Sequence, residues 1–227
     1  MLLQIDKAIF HALNGGAENG LLDWLMPRLT NAHKALWFIL AVLPLLLWIL
    51  LKRGKRGRTL IFCSLLALGL GDFTSSRIGK NLVWRDRPCH VVAATGKMSI
   101  PDLHLLPGFA SPPGYVATPN KDCPGSSSFP SSHAANSMAF ATVCWWFTRH
   151  RGRWFWFLIP LMVGWSRIYL GYHYPSDVLA GWAMGAVLGA LICRFLAKPF
   201  LREMTAEEKE SAERGTMDEA QIEISEK

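Results

Sequence analysis

The sequence predicts an all-α integral membrane protein, a helical bundle of about five to six transmembrane helices preceded by an N-terminal amphipathic segment. Three observations support this fold class. Of the 227 residues, 51% are hydrophobic and only 18% are charged. Apolar runs of nearly transmembrane length recur along the chain. Basic loops and tryptophans follow these runs, as they do at the boundary between a membrane and water.

The amphipathic segment covers residues 1–34. Its apolar residues recur at helical spacing on both sides of two glycine-containing breaks, Gly15-Gly16 and Asn19-Gly20. Neither half is long enough to cross a bilayer, so we expect two helices that lie on its surface. The segment does not begin with basic residues followed by a long apolar run, so we expect no cleavable signal peptide.

Residues 35–200 form the predicted membrane domain. Three glycines spaced by four in its last apolar run, Gly181, Gly185 and Gly189, predict close packing against a neighbouring helix. The predicted spans are residues 35–51, 59–79, 130–147, 154–172 and 178–196.

The second span contains a carboxylate, Asp72. A charged group inside a span usually faces the bundle interior and has a partner there. Asp72, Ser76 and Lys80 are spaced by four, so one interpretation is that Asp72 orients Lys80. The alternative is that Asp72 simply lies near the water interface.

Basic residues predict the orientation of the bundle. Residues 52–58 carry five positive charges in seven positions, and residues 148–153 form a second basic loop. The positive-inside rule places both loops in the cytoplasm. Residues 201–227, with nine acidic and four basic residues, then form an acidic cytoplasmic tail. The basic remainder favours anionic lipid or phosphate as a partner, and no nucleic-acid-binding module is recognisable.

Three polar clusters fall at the opposite side of the predicted bundle. In the first, Lys80 and Arg87 are seven residues apart, about two helical turns, so both can face one anion. In the second, Ser131, Ser132 and His133 follow Pro130 at a helix start, where unpaired amides bind anions. Taken separately, each cluster also fits a structural explanation: a basic flank of a span, or a serine-rich helix cap.

The third cluster joins the last two spans. Pro175 suits the first position of a helix, and Asp177 in the first turn can reach back to His173. A carboxylate partner orients an imidazole that acts as a nucleophile or base. Arg167 supplies a planar fork suited to phosphate. The alternative is an arginine and a histidine that extend to the membrane interface without a chemical role.

Together the clusters predict a site for a phosphate-like dianion, with a nucleophile and a separate acid. Carboxylates on this side of the predicted bundle are scattered rather than clustered as bridging metal ligands would be. We therefore expect no metal and no cofactor.

Lys80…Arg87-Pro88, Pro130-Ser131-Ser132-His133 and Ser166-Arg167…His173…Asp177 resemble the three signature motifs of the type 2 phosphatidic acid phosphatase (PAP2) superfamily. The order, spacing and residue types agree across residues 80–177. One departure is Ser132, where the family most often has glycine. Serine keeps the amide but lacks the freedom of glycine at positive φ, which implies helical geometry there.

The resemblance implies a metal-independent lipid phosphatase. His173 attacks phosphorus and becomes a phosphohistidine, with Asp177 holding it in place. His133 protonates the leaving oxygen and then activates water. The phosphate oxygens are held by five residues: Lys80, Arg87, Ser131, Ser132 and Arg167.

Within the family, the chain most resembles bacterial undecaprenyl-diphosphate phosphatases of the inner membrane, whose active site faces the periplasm or cell exterior. Lipid A 1-phosphatase and phosphatidylglycerophosphate phosphatase activities remain alternatives. Vanadium haloperoxidases share the motifs but are soluble. A membrane scaffold or transporter subunit with a phosphate site would need no nucleophile.

Two of the five cysteines, Cys89 and Cys123, share the long polar loop assigned to the extracytoplasmic side. Disulfides persist in such an oxidising compartment. We expect a Cys89–Cys123 bridge that tethers the loop between the first two clusters, worth roughly 3–4 kcal/mol by loop-closure entropy. Two free thiols are the alternative.

Overall fold

A computed structural model describes residues 2–14, 19–79, 85–89, 123 and 127–200. Every regular element in these ranges is helical, as predicted. The predicted tail at 201–227 and Lys80 lie outside the described residues. The α-helices of the described ranges are α1 (Leu2–Leu13), α2 (Gly20–Asn31), α3 (Leu36–Lys52), α4 (Gly54–Phe73), α5 (Ser132–Phe147), α6 (Leu158–Tyr169) and α7 (Pro175–Ile192).

Shorter helical segments adjust the ends of these helices. A π-helical turn over Thr74–Gly79 extends α4, and a second over Cys193–Ala197 extends α7. A 3₁₀ segment, Arg151–Phe157, leads into α6. The predicted spans therefore coincide with helices, although the fourth begins in this 3₁₀ segment rather than as α-helix.

Two stretches in the described ranges are long and apolar enough to cross a membrane, Gly54–Arg77 and Pro175–Phe200, and Phe38–Lys52 is a shorter apolar helix. Their outer surfaces expose large apolar side chains, a composition suited to contact with lipid. Examples are Leu40, Leu43, Leu47, Phe62, Leu65, Leu179, Val187 and Leu191.

The glycine ridge of α7 packs directly on α5, as its spacing predicts. A Cβ added to Gly181 would lie 2.5 Å from the Ser131 carbonyl oxygen, and one added to Gly185 would lie 2.2 Å from that of Ala135. Both distances are shorter than any real Cβ contact. Glycine at these positions therefore sets the separation of α5 and α7, the helices that begin at the second and third polar clusters.

The two basic loops lie at one end of the bundle. The Arg56 guanidinium, near the start of α4, donates to the carbonyl oxygen of Phe147 at the end of α5, at 2.8 Å. Arg153, in the second basic loop, stacks over the ring of Trp145 in the last turn of α5 at 4.4 Å. The start of α5 and the start of α7 meet at the opposite end, where the Ser131 amide donates to the Asp177 carbonyl. The described residues of the polar clusters and the basic loops therefore occupy opposite ends, as predicted.

The N-terminal segment forms the two predicted helices, and both pack on the helices that carry the third cluster. Helix α1 contacts α6 and α7, and α2 contacts α6. Phe10 of α1 and Met26 of α2 are buried in these contacts, whereas Ile9 and Trp24 remain exposed. Each helix thus has one face against the protein and another directed away from it.

Candidate active site

The backbone around His173 is fixed by a tight turn at the end of α6. Gly171 adopts φ 70°, a left-handed conformation that favours glycine. The chain then folds back, so that the amides of Tyr172 and His173 both donate to the Arg167 carbonyl, at 3.0 and 3.3 Å. Helix α7 begins two residues later at Pro175. His173 is only 2% exposed as a result.

Two contacts determine which nitrogen of His173 carries the proton. Nδ1 lies 2.7 Å from the backbone carbonyl oxygen of Ser128. A carbonyl oxygen only accepts hydrogen bonds, so Nδ1 must be the N–H. Nε2 lies 3.2 Å from Nη1 of Arg87, which only donates. Nε2 therefore holds the lone pair, and that lone pair faces a guanidinium.

Electrostatics keep this imidazole neutral. Burial is the largest influence, and the charges of Arg167 and Arg87 act in the same direction, so the pKa of His173 lies well below its ordinary value. The hydrogen bond to Ser128 opposes the shift without cancelling it. The ring is thus unprotonated at neutral pH, as a nucleophile requires.

Asp177 acts on His173 less directly than the i,i+4 spacing suggested. Its Oδ2 lies 3.9 Å from Nδ1 of His173, which is too long for a hydrogen bond. That oxygen instead accepts from Oγ of Ser128 at 2.5 Å and from the amide of Tyr174 at 2.8 Å. Asp177 therefore lies beside His173, as its spacing predicted, but without a direct hydrogen bond to the ring. Asp177 thus fixes Ser128, which contacts the His173 ring, and Tyr174, which follows His173 in the sequence.

Arg87 joins the first cluster to the third. Its Nη1 donates to the Tyr172 carbonyl at 2.9 Å, and its Nη2 donates to the Ser127 carbonyl at 3.2 Å. The sequence spacing predicted about two helical turns between Lys80 and Arg87. Residues 85–87, the part of this stretch that the structure describes before Pro88, are not helical, so the prediction was wrong there. This segment pairs instead with residues 127–128: the Ser128 amide donates to the Arg85 carbonyl at 2.8 Å.

The second cluster starts α5, and His133 lies in the first turn of that helix, partly buried. The Ser131 amide is not available for an anion, in contrast to the prediction, because it donates to the Asp177 carbonyl at 3.0 Å. Its hydroxyl is buried and, in the described structure, has no hydrogen-bond partner. The Ser132 hydroxyl lies 3.3 Å from that of Ser76, which in turn donates to Asp72.

Arg167 is also buried. Its guanidinium stacks over the Tyr172 ring at 4.4 Å, and its Nη1 donates to Oγ1 of Thr30 in α2 at 3.1 Å. Its Nε has no acceptor among the described residues, like the Ser131 hydroxyl. A buried donor without an acceptor is costly and unusual. Two predicted phosphate ligands therefore each keep a donor that a phosphate oxygen could satisfy.

A disulfide joins Cys89 to Cys123, with Cα atoms 6.2 Å apart and a sequence separation of 34. The Cys89 amide donates to the Gly171 carbonyl at 3.0 Å, two residues before His173. The bridge thus ties the long loop to the turn that carries the candidate nucleophile. The described residues hold no group of three His, Cys, Asp or Glu side chains arranged as metal ligands.

The sequence from 58 to 200 matches the profile of the PAP2 superfamily, and this region includes all the motif residues. The chain belongs to the PAP2 superfamily. It is 32% identical to decaprenylphosphoryl-5-phosphoribose phosphatase of Mycobacterium tuberculosis over 163 residues, which cover 69% of each protein. It is 28% identical to undecaprenyl-diphosphatase of Sulfolobus acidocaldarius over 194 residues, 84% of this chain and 86% of that protein.

The fold of this PAP2 protein is also that of a solved relative. The crystal structure of a transmembrane PAP2-type phosphatidylglycerolphosphate phosphatase from Bacillus subtilis superimposes with a TM-score of 0.58. The match covers 87% of both chains at 23% sequence identity, a level that supports the fold alone.

Four residues of this site were not predicted from the sequence. Ser128 supplies the carbonyl that holds His173, and Arg85 bridges Asp177 to Asp6 of α1. Thr30 accepts from Arg167. Asp6 and Thr30 precede the family match and had no motif to mark them. The one local signal was an acidic residue, Asp6, amid the apolar residues of the amphipathic helix.

Proposed function

We propose that this PAP2 protein is a metal-independent membrane phosphatase that releases phosphate from a lipid phosphate or diphosphate through a phosphohistidine on His173. One observation carries the proposal. His173 is a buried, neutral histidine whose Nδ1–H is fixed by the Ser128 carbonyl, so that its Nε2 lone pair faces Arg87. A protein that only binds phosphate needs no such fixed tautomer.

In the first step, Nε2 of His173 attacks phosphorus, and the bond between phosphorus and the leaving oxygen breaks. His133 donates a proton to that oxygen as general acid. The Nδ1–H of His173 stays on the ring, where the Ser128 carbonyl stabilises the positive charge that develops. In the second step, His133 removes a proton from water, which attacks phosphorus and releases His173 as the neutral imidazole.

Positive charge and fixed donors stabilise the transferred phosphoryl group, the main requirement for catalysis of this transfer. Arg87 contacts Nε2 and is suited to an equatorial oxygen. The buried Ser131 hydroxyl and Arg167 Nε lack protein acceptors among the described residues and supply further donors. Lys80 and Ser132 complete the proposed phosphate-binding set.

The membrane arrangement follows from the charges at the two ends of the bundle. The end with Arg56 and Arg153 is proposed to face the cytoplasm of a bacterial inner membrane. The site at the other end then faces the periplasm or cell exterior, and α1 and α2 lie at the membrane surface beside it. The lipid tail of the substrate stays in the bilayer with its phosphate at this surface.

Undecaprenyl diphosphate is the favoured substrate. The relatives cited from two organisms are named for undecaprenyl and decaprenyl substrates, and both tails are polyprenyl chains. The mycobacterial name favours a second candidate, a phosphate monoester on a polyprenyl-linked sugar. Lipid A is a further alternative, because lipid A 4'-phosphatase of Bacteroides thetaiotaomicron is 32% identical over 131 residues, which cover 49% of this chain and 56% of that protein. Phosphatidylglycerophosphate also stays an alternative.

Phosphate release from a panel of purified lipids, with EDTA present, tests the proposal. The panel contains undecaprenyl diphosphate, undecaprenyl phosphate, a polyprenyl-linked phosphoribose, lipid A and phosphatidylglycerophosphate. We expect the highest kcat/KM for undecaprenyl diphosphate. Highest activity on the phosphoribose lipid would support the second candidate, and no His173-dependent release from any lipid would refute the proposed function.

A further inference from the structure

Helix α1 places a buried carboxylate next to the site. Asp6 is only 7% exposed, although it belongs to a segment that precedes the family match by about fifty residues. Its Oδ1 accepts from the Ser176 amide at 2.9 Å, and its Oδ2 accepts from the Ser176 hydroxyl at 2.7 Å. Oδ2 also accepts from Nη2 of Arg85 at 2.5 Å. A buried carboxylate is tolerated only with such a full set of donors.

Asp6 is ionised in this setting. Burial opposes ionisation, but the donors from Ser176 and Arg85 outweigh it and hold the pKa of Asp6 below its ordinary value. The contact between Asp6 and Arg85 is therefore a true ion pair rather than a neutral hydrogen bond.

Arg85 is shared between two carboxylates. Its Nη2 binds Asp6, and its Nη1 binds Oδ1 of Asp177 at 2.7 Å and the Ser176 hydroxyl at 2.6 Å. Its guanidinium also stacks on the Tyr174 ring at 4.0 Å. The hydrogen bonds fix the plane of the guanidinium, because its donors form a rigid fork, and the stacking on Tyr174 fits the same plane.

The network continues from Asp177 to the reacting ring. Arg85 occupies Oδ1 of Asp177, which leaves Oδ2 to accept from Ser128. The carbonyl of Ser128 then holds Nδ1 of His173. A continuous set of contacts thus runs from α1 to the candidate nucleophile, and each link is at hydrogen-bond distance.

We propose that Asp6 is a positioning residue for the phosphatase reaction, which acts through Arg85 and Asp177 on the orientation of His173. The N-terminal helix is then a functional part of the active site rather than only a helix at the membrane surface. Asp6 touches neither phosphate nor the reacting atoms, so its loss should affect catalysis and leave substrate binding nearly unchanged. This inference rests on the proposed phosphohistidine chemistry.

The test compares Asp6→Asn with Asp86→Asn in the full-length protein in detergent. Asp86 is exposed and adjoins Arg85 in sequence, so its substitution removes the same charge at a side chain outside the Asp6–Arg85–Asp177 hydrogen bonds of the described structure. We expect Asp6→Asn to lower kcat and the rate of phosphoenzyme formation about tenfold, with KM within about twofold of wild type. Asp86→Asn should keep both parameters. An unchanged kcat, or a change confined to KM, would overturn the proposal.

A double-mutant cycle distinguishes positioning from a general structural role. In an Arg85→Gln background the path from Asp6 is already broken, so adding Asp6→Asn should cost little more kcat. Equal losses in both backgrounds would overturn the proposal. If Asp6→Asn does not fold, Arg85→Lys provides the test. Lysine keeps the charge but cannot bridge both carboxylates, so we expect reduced kcat at unchanged KM. Full kcat in Arg85→Lys would overturn the proposal.

Failure of the positioning role proposed for Asp6 and failure of the proposed function give different results. Suppose that phosphoenzyme formation depends on His173 but that Asp6→Asn is fully active. This result would refute only the positioning role of Asp6. Lipid phosphatase activity that survives His173→Ala would refute the proposed function itself.

Discussion

Gly185→Ala should damage both stability and activity through a contact of a single methyl group. The added Cβ would lie 2.2 Å from the Ala135 carbonyl oxygen, whereas ordinary contact begins at 3.4 Å. Helices α5 and α7 would therefore have to separate by about 1.2 Å, the difference between those distances. The obstacle is backbone, so no flexible side chain can move aside.

The expected size of each effect follows from this displacement. Overpacking of a close helix contact costs about 1–3 kcal/mol of unfolding free energy. Because α5 carries His133 and α7 begins beside His173, a shift of about 1 Å also misaligns the proposed acid and the proposed nucleophile, and kcat should fall by about 100-fold. The assays are thermal unfolding in detergent and phosphate release at saturating substrate.

Gly69→Ala is the matched control, since it makes the same change inside a helix. A Cβ at Gly69, on the exposed side of α4, would meet nothing within 4 Å. Alanine there should be neutral or stabilising by up to about 1 kcal/mol, with unchanged activity. If Gly185→Ala behaved like Gly69→Ala, the glycines of α7 would not set the geometry of the site.

Three other predictions concern the site. His133→Ala should lose far more activity on lipid phosphates than on activated aryl phosphates, as expected of a general acid, and equal losses would indicate a binding role alone. Because the pKa of His173 is lowered, its contribution to stability is complete above the unfolded value near 6.5 and is lost as the pH falls towards the folded pKa. Thermal stability should thus fall more steeply between about pH 7.5 and pH 5.5 in wild type than in His173→Gln, and parallel curves would contradict the shift. Reduction of the Cys89–Cys123 bridge should lower the thermal midpoint or the activity, and quantitative alkylation of both thiols before lysis would show that the bridge is absent in cells.

The sequence was informative wherever a local rule applied. Pro175 begins α7, and the spacing of Gly181, Gly185 and Gly189 marked the face that packs on α5. The segregation of basic residues identified one end of the bundle, and the loop location of Cys89 predicted its pairing. Each of these features depends on residues that are near in sequence or on composition.

The hydrogen-bond partners of His173 and Arg85 could not be predicted from such local rules. The four-residue spacing predicted that Asp177 pairs with His173. The Asp177 side chain instead forms part of the capping box of α7 and accepts hydrogen bonds from the Tyr174 amide and the Ser128 hydroxyl. The group that holds His173 is a backbone carbonyl, which leaves no signature in a sequence. Asp6 and Ser176 are 170 residues apart, and only the docking of α1 on α7 brings them together.

Trapping of a phosphoenzyme tests the central claim most directly. Wild-type protein is mixed rapidly with radiolabelled undecaprenyl diphosphate, quenched, and mapped by mass spectrometry, alongside His173→Ala and His133→Ala. We expect an acid-labile, base-stable phosphate on His173, absent from His173→Ala and still formed by His133→Ala from an activated aryl phosphate. A phosphoenzyme that still forms in His173→Ala would contradict the assignment of His173 as the nucleophile.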